Sequence, residues 1–214
     1  MYVIILFIIG MLEGESVKKK KKKNNFSLEI KKLTVAYTFL LSALAIFIVS
    51  LNSFKFNLFG NNISYSIFIL PLLYFVVNVI LKEIGDRSAK IAIFVSTIVL
   101  YFAGLLTDIL FGIDVNLFKY FGLVLAYFVS QFLNFSIYYY MLGNYRTPLL
   151  LVIFNLIFCL LVNNMLYMLF SLNMVFTSTF WSSYLIIICL QSLISAILAI
   201  ILGFIEQGLD DEDD

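Results

Sequence analysis

Between Arg146 and Glu206 the chain carries no Asp, Glu, Lys or Arg. A spanning helix needs ~20 apolar residues, so that stretch alone has room for two crossings of a bilayer. Charge-free runs also cover 33–54, 56–81, 91–107 and 120–145. Overall the chain is 63% hydrophobic and 13% charged, with a mean hydropathy of +1.04. Soluble domains lie nearer half apolar and a quarter charged. In hydrocarbon every backbone N–H and C=O must be satisfied within the protein, which leaves helices or closed barrels. The runs are too long and too unalternating for barrel strands. The expectation is an all-α polytopic membrane protein, a bundle of six transmembrane helices over about 33–53, 63–83, 88–112, 117–142, 147–172 and 180–206.

The charges sit between the spans. Residues 1–32 read as a basic amino-terminal segment, 33–206 as the membrane domain and 207–214 as an acidic tail. Residues 1–12 are apolar but too short to cross comfortably, and they precede the lysines, the reverse of a signal peptide. The first ten are expected to precede a natural start at Met11, or else the segment is interfacial. Lys18 to Lys23 read as a topology anchor, with an anionic-lipid patch as the sharper alternative. With the amino terminus inside, Lys18–Lys23, Lys31, Lys32, Lys82, Arg87, Lys90 and Arg146 fall inside, and only Lys55 and Lys119 outside. The positive-inside rule then places both termini in the cytoplasm. The stretch from Pro71 to Lys90 shows one span handing over to the next through the charged turn Lys82-Glu83-Ile84-Gly85-Asp86-Arg87. Asn52 to Ser64 reads as a loop, with a turn signal at Gly60-Asn61-Asn62. Pro148 suits the first turn of the fifth span, where its missing N–H costs little.

With no His in the chain, imidazole metal sites, His-based triads and His proton relays are excluded. Cys159 and Cys189 read as small buried hydrophobes rather than a disulfide. Motifs such as G-x-S-x-G, HExxH and phosphate-binding Gly-rich loops are missing, and a non-enzyme without cofactors is expected. The spans instead hold amides: Asn78, Gln131, Asn134, Asn155, Asn163, Asn164 and Gln191. Gln131 and Asn134 share a helix face. Asp108, the charged residue nearest a span interior, falls toward the outer end of the third span. Two readings of the amides compete. They bond helix to helix, at ~0.6 kcal/mol per contact, or they line a neutral pocket for a planar, uncharged heterocycle that Phe or Tyr could stack upon.

The spacing of Pro71, Asn78, Gly85, Ala89 and Lys90 resembles a pattern in the second span of the queuosine precursor transporter family, also called the vitamin uptake transporter family. Ala126-Tyr127, Gln131 and Asn134 resemble its fourth-span pattern. Asn163-Asn164 correspond to a fifth-span Asp-Thr, and Gln191, before Ser-Leu-Ile-Ser, to a sixth-span Lys. The resemblance covers about residues 40 to 205. It departs where Asn78, Asn134 and Asn163 stand for carboxylates and Gln191 for an ammonium. Losing both signs together is consistent, because one buried charge left alone would be costly. What remains is an amide network of similar shape without a titratable relay.

The resemblance implies a six-helix uptake protein of the bacterial inner membrane for a deazaguanine precursor of queuosine. The candidate substrate-binding residues are Asn78, Gln131, Asn134, Asn155, Asn163, Gln191 and Tyr127, and either Asn163 or Asn164 faces the pocket. The expected partners are membrane lipid and a small heterocyclic substrate, with a homodimer partner or an energising ATPase module and no nucleic acid. The rival readings are a substrate-binding subunit of an energy-coupling-factor importer and a non-transporting membrane scaffold.

Overall fold

A computed structural model describes residues 25–52, 54–110, 112, 117–144, 149–170 and 178–210. Residues 1–31 and 32–214 form separate units, and the interior described lies within the second. The lysine run 18–23, residues 1–12, Arg146, Pro148 and the last four acidic residues lie outside the described residues.

Among the described residues six helical segments are long and apolar enough to cross a membrane, the second of them, Tyr65–Glu83, counting the 3-10 turn that precedes its α-helix. They are α1 (Asn25–Asn52), α2 (Ile69–Glu83), α3 (Asp86–Leu110), α4 (Leu117–Asn144), α5 (Leu149–Phe170) and α6 (Ser178–Asp210). Their limits fall within a few residues of the apolar runs, except that α1 starts and α6 ends further out. A short 3-10 turn, Tyr65–Phe68, leads into α2. Ser64 caps that turn, its Oγ accepting from the Ser66 N–H at 3.1 Å. Pro71 sits in the first turn of α2, where helical N–H groups lack partners anyway.

α2 stops where the charged turn predicts. The Ile84 and Gly85 N–H groups both fold back on the Ile80 carbonyl, at 3.0 and 3.1 Å, a glycine-terminated helix end. Gly85 takes φ +114°, a conformation that L side chains rarely adopt. The chain reverses within this one residue, and α3 begins at Asp86, whose carboxylate suits a helix amino terminus.

The segment after α1 is more ordered than a loop. β1 (Lys55–Leu58) and β2 (Asn61–Ser64) pair antiparallel, with Phe56 opposite Ile63 and Leu58 opposite Asn61. The reversal is made by Phe59 and Gly60, with φ +50° and +80°. Positive φ at both central residues marks the two-residue turn whose twist matches the strands. The expected turn at Gly60-Asn61-Asn62 is therefore shifted, and Asn61 and Asn62 belong to β2. Four-residue strands give too short an alternation to read, and a Phe in the first turn position hides the usual Asn-Gly signal.

The helices run alternately up and down. The end of α1 meets the end of α5 through Asn52 Nδ2 donating to the Tyr167 hydroxyl at 3.2 Å. The hairpin meets the start of α6 through Ser182 and Ser183, which donate to Asn61 Oδ1 at 3.1 and 2.8 Å. At the opposite end Thr34 of α1 bonds Ser88 of α3 at 2.9 Å. α2 is central, packing on α3, α4, α5 and α6. Its Leu73, Tyr74, Val77, Asn78 and Ile80 are fully enclosed. Phe39, Phe102, Phe154 and Leu193 point outward from their helices, as lipid-facing side chains do. Cys159 is buried and Cys189 exposed, both as free thiols. The expectation of two buried cysteines therefore fails for Cys189, because its side of α6 faces away from the other helices.

Candidate functional site

Helical spacing brings the amides to the inside of the bundle. Tyr127, Gln131, Asn134 and Tyr138 form one stripe of α4, each at most 1% exposed. Tyr74 and Asn78 stand one turn apart on α2, and Asn155 and Cys159 one turn apart on α5. Where these stripes meet, Asn134 is the hub. Its Nδ2 donates to Asn78 Oδ1 at 2.9 Å and to the Tyr74 carbonyl at 3.2 Å. Its Oδ1 accepts from Asn155 Nδ2 at 2.8 Å. The Cys159 thiol closes the line on Asn155 Oδ1 at 3.4 Å. Three helices are thus tied by carboxamides in the half of the bundle away from the hairpin.

The line continues toward the hairpin. The Tyr74 hydroxyl donates to Ser130 Oγ. Ser130 has a single proton for the Ala126 carbonyl at 2.6 Å, the Tyr127 carbonyl at 3.0 Å or Asn163 Oδ1 at 3.2 Å. Asn163 and Tyr127 then face a cavity of about 30 Å³ whose walls also include Asn52, Ser66 and Tyr167. A water needs ~10–15 Å³ of such space, whereas small-molecule sites occupy ~300–1,000 Å³. The cavity suits water and is far too small for a heterocycle. The Tyr127 hydroxyl pairs with Ser96 at 2.9 Å on its wall.

Asn164 takes a different direction from Asn163. Its Nδ2 donates to Gln191 Oε1, and Gln191 Nε2 donates to the Ile67 carbonyl at 3.2 Å, linking α5, α6 and the entry to α2. Both asparagines are buried, but the cavity-facing one is Asn163. Of the seven residues expected to bind substrate, Asn134 joins Asn78 and Asn155 by hydrogen bonds to each. Asn163 and Tyr127 line the cavity, and Gln191 belongs to the separate pair with Asn164.

Gln131 is the exception. It is fully enclosed, yet neither Oε1 nor Nε2 has a hydrogen-bond partner among the described residues. Asn78 Nδ2 is in the same position. An unsatisfied buried polar group costs ~1–3 kcal/mol, and these lie on neighbouring stripes of α2 and α4.

The amide inventory leaves out Tyr74, Ser130, Ser96, Asn52 and Tyr167. A signal for the first two was present: Tyr74 precedes Asn78 by four residues and Ser130 precedes Asn134 by four, the spacing of helix neighbours. Asp108 does lie near the hairpin end of α3, but is enclosed, at 1% exposure, with its Oδ1 accepting from the Tyr120 hydroxyl at 2.7 Å. Gly104, one turn before, makes the pairing feasible. A Cβ there would stand 2.3 Å from the Tyr120 ring.

Fold and interior together define a multi-pass helical membrane protein whose polar line is built from amides, hydroxyls and a thiol. Such groups can donate, accept and re-pair without changing charge. No protein-family profile, curated protein or solved structure matches the chain.

Proposed function

We propose that the chain is a membrane transporter for a small, uncharged polar solute, with a deazaguanine precursor of queuosine as the substrate its motif spacing implies. The reading places it in the bacterial inner membrane with both termini cytoplasmic. The observation that carries it is Gln131. A carboxamide presents a donor and an acceptor side by side, and burying both without partners is disfavoured unless another state supplies them. A planar lactam edge offers the complementary pair. Asn78 Nδ2 adds a donor from α2, and Tyr127 a ring on the Gln131 stripe. The small cavity belongs to a closed state of the bundle. Substrate entry from the hairpin end requires the Asn52–Tyr167 contact to part and Asn163 to turn from Ser130, after which the amides exchange mutual bonds for bonds to solute.

The test is complementation. The chain, begun at Met1 and at Met11, is expressed in bacteria unable to make or import queuosine precursors. Membrane insertion is verified, precursor is supplied outside and queuosine is assayed in tRNA. Restored queuosine is expected, and its absence from a well-inserted protein removes this substrate.

A second reading, a non-transporting scaffold, is favoured by the mutual satisfaction of Asn78, Asn134 and Asn155 and of Asn164 with Gln191. Gln131→Leu separates the two. Leu removes two unpartnered polar atoms at similar volume, so resistance to unfolding in detergent is expected to hold or rise. A scaffold then keeps its function, whereas a transporter loses uptake while fully folded.

A further inference from the structure

The hairpin places aromatic side chains where a protein surface ordinarily avoids them. Phe59, at the reversal, is 85% exposed, Phe54 at the base of β1 is 62% exposed, and Tyr65 follows β2 at 43%. Phe59 also adopts positive φ at a position that favours Asn, Asp or Gly. A bulky residue in this backbone region is a departure from local preference, and no packing among the described residues gains from it, since the side chain is left exposed.

The level of the hairpin relative to the spans is set by its contacts. The Phe56 ring stacks on Phe68 at 5.9 Å and leans on Tyr65 at 4.9 Å, and both partners lie in the opening turn of the second span, Tyr65–Glu83. On the other side Asn61 receives Ser182 and Ser183, beside Trp181 where the sixth span begins. The hairpin therefore bridges the opening turns of two candidate spans, where their apolar stretches begin. Trp181 is half-exposed at the same level, and its ring meets Tyr184 edge-on.

The two faces of the hairpin match that plane. Ile63 is 1% exposed and its cross-strand partner Phe56 packs inward, while Lys55, Asn57 and Asn62 are exposed. An isolated two-stranded hairpin is marginal in water, so this one needs cover beyond its single apolar face. Tyr and Trp, such as Tyr65 and Trp181, gather at headgroup depth, exposed Phe rings bury at the boundary between headgroups and acyl chains, and a lysine can reach a phosphate from there.

We infer that the hairpin is an interfacial anchor, with Phe59 and Phe54 seated among phospholipid headgroups and upper acyl chains and Lys55 at the phosphate level. This holds whatever the bundle carries. It commits those side chains to lipid rather than to water or to another protein.

The experiment uses the only tryptophan of the chain. In a Trp181→Phe background, Phe59→Trp and, separately, Phe54→Trp are reconstituted as full-length protein into phosphatidylcholine vesicles. Brominated lipids carry the quencher at graded depths, and iodide serves as the aqueous quencher. The expected result is emission blue-shifted from free tryptophan, quenching strongest with bromines near the headgroup end and little quenching by iodide. Iodide quenching without bromolipid quenching means that the hairpin stands in water and overturns the inference. Protection from both means that protein covers it and overturns it equally. The second variant keeps the test decisive if one substitution prevents folding.

Discussion

Asn134→Leu is expected to lower resistance to unfolding by about 2–4 kcal/mol, combining three lost contacts at ~0.6 kcal/mol each in a bilayer with the cost of stranded partners. Leucine removes the donor to Asn78 Oδ1 and to the Tyr74 carbonyl, and the acceptor of Asn155 Nδ2. All of these groups are enclosed, so water cannot replace the missing partner. Equilibrium unfolding in mixed detergent measures the loss. The variant Asn78→Leu/Asn134→Leu refines it: with the Asn78 carboxamide also gone, one stranded acceptor disappears, and the double change costs less than the two single changes together. Strict additivity would mean that the Asn78–Asn134 bond contributes nothing. The contrast with Gln131→Leu, expected to be neutral or stabilising, tests whether bonding state rather than residue type decides each amide's part.

Gly104→Ala is expected to cost about 1–3 kcal/mol, the usual range for overpacking a filled interior, and to break a specific polar contact. The added Cβ would lie 2.3 Å from one ring carbon of Tyr120 and 2.8 Å from Cγ, close to the root of the side chain. The ring cannot swing its tip aside, and the whole phenol must move off α3, withdrawing its hydroxyl from Asp108. The control is Tyr120→Leu. In that background the added methyl has no ring to displace, so the penalty for Gly104→Ala is expected to shrink severalfold, read as a coupling energy from four unfolding curves. An unchanged penalty would place the clash elsewhere.

The spans were legible because charge is excluded from hydrocarbon over ~20 residues at a time, a signal much longer than the noise of any single position. The turn at Gly85 was equally plain, since a charged hexapeptide between apolar runs leaves the chain few alternatives. The amides could be listed from the sequence, but their pairing could not. Asn163 and Asn164 are adjacent and identical, yet about 100° of helical rotation sends one to the cavity and the other to Gln191. Nor could composition distinguish Gln131, which has no partner among the described residues, from Asn134, which has three, because satisfaction depends on what the neighbouring helix presents. The hairpin was missed for a local reason, namely strands of four residues joined by an atypical turn residue. The burial of Asp108 depends on Gly104, whose lack of a side chain acquires meaning only once α4 lies against it.

The line through Asn78, Asn134 and Asn155 also has an electrical consequence. A membrane potential does work on charge, about 2.3 kcal/mol per elementary charge moved through 100 mV. Carboxamides that break and remake bonds carry no net charge across the field, so a rearrangement of this line is electrically silent. Voltage cannot bias it, and carrying an uncharged solute along it generates no current. Accumulation against a gradient would then have to draw its energy from outside these amides, through a charged group elsewhere or an energised partner. On the proposed function, a vesicle experiment that clamps the potential while following solute entry separates these sources: an equal rate at either polarity is expected where only the amides move, and a polarity-dependent rate marks a charged group elsewhere that moves with the solute.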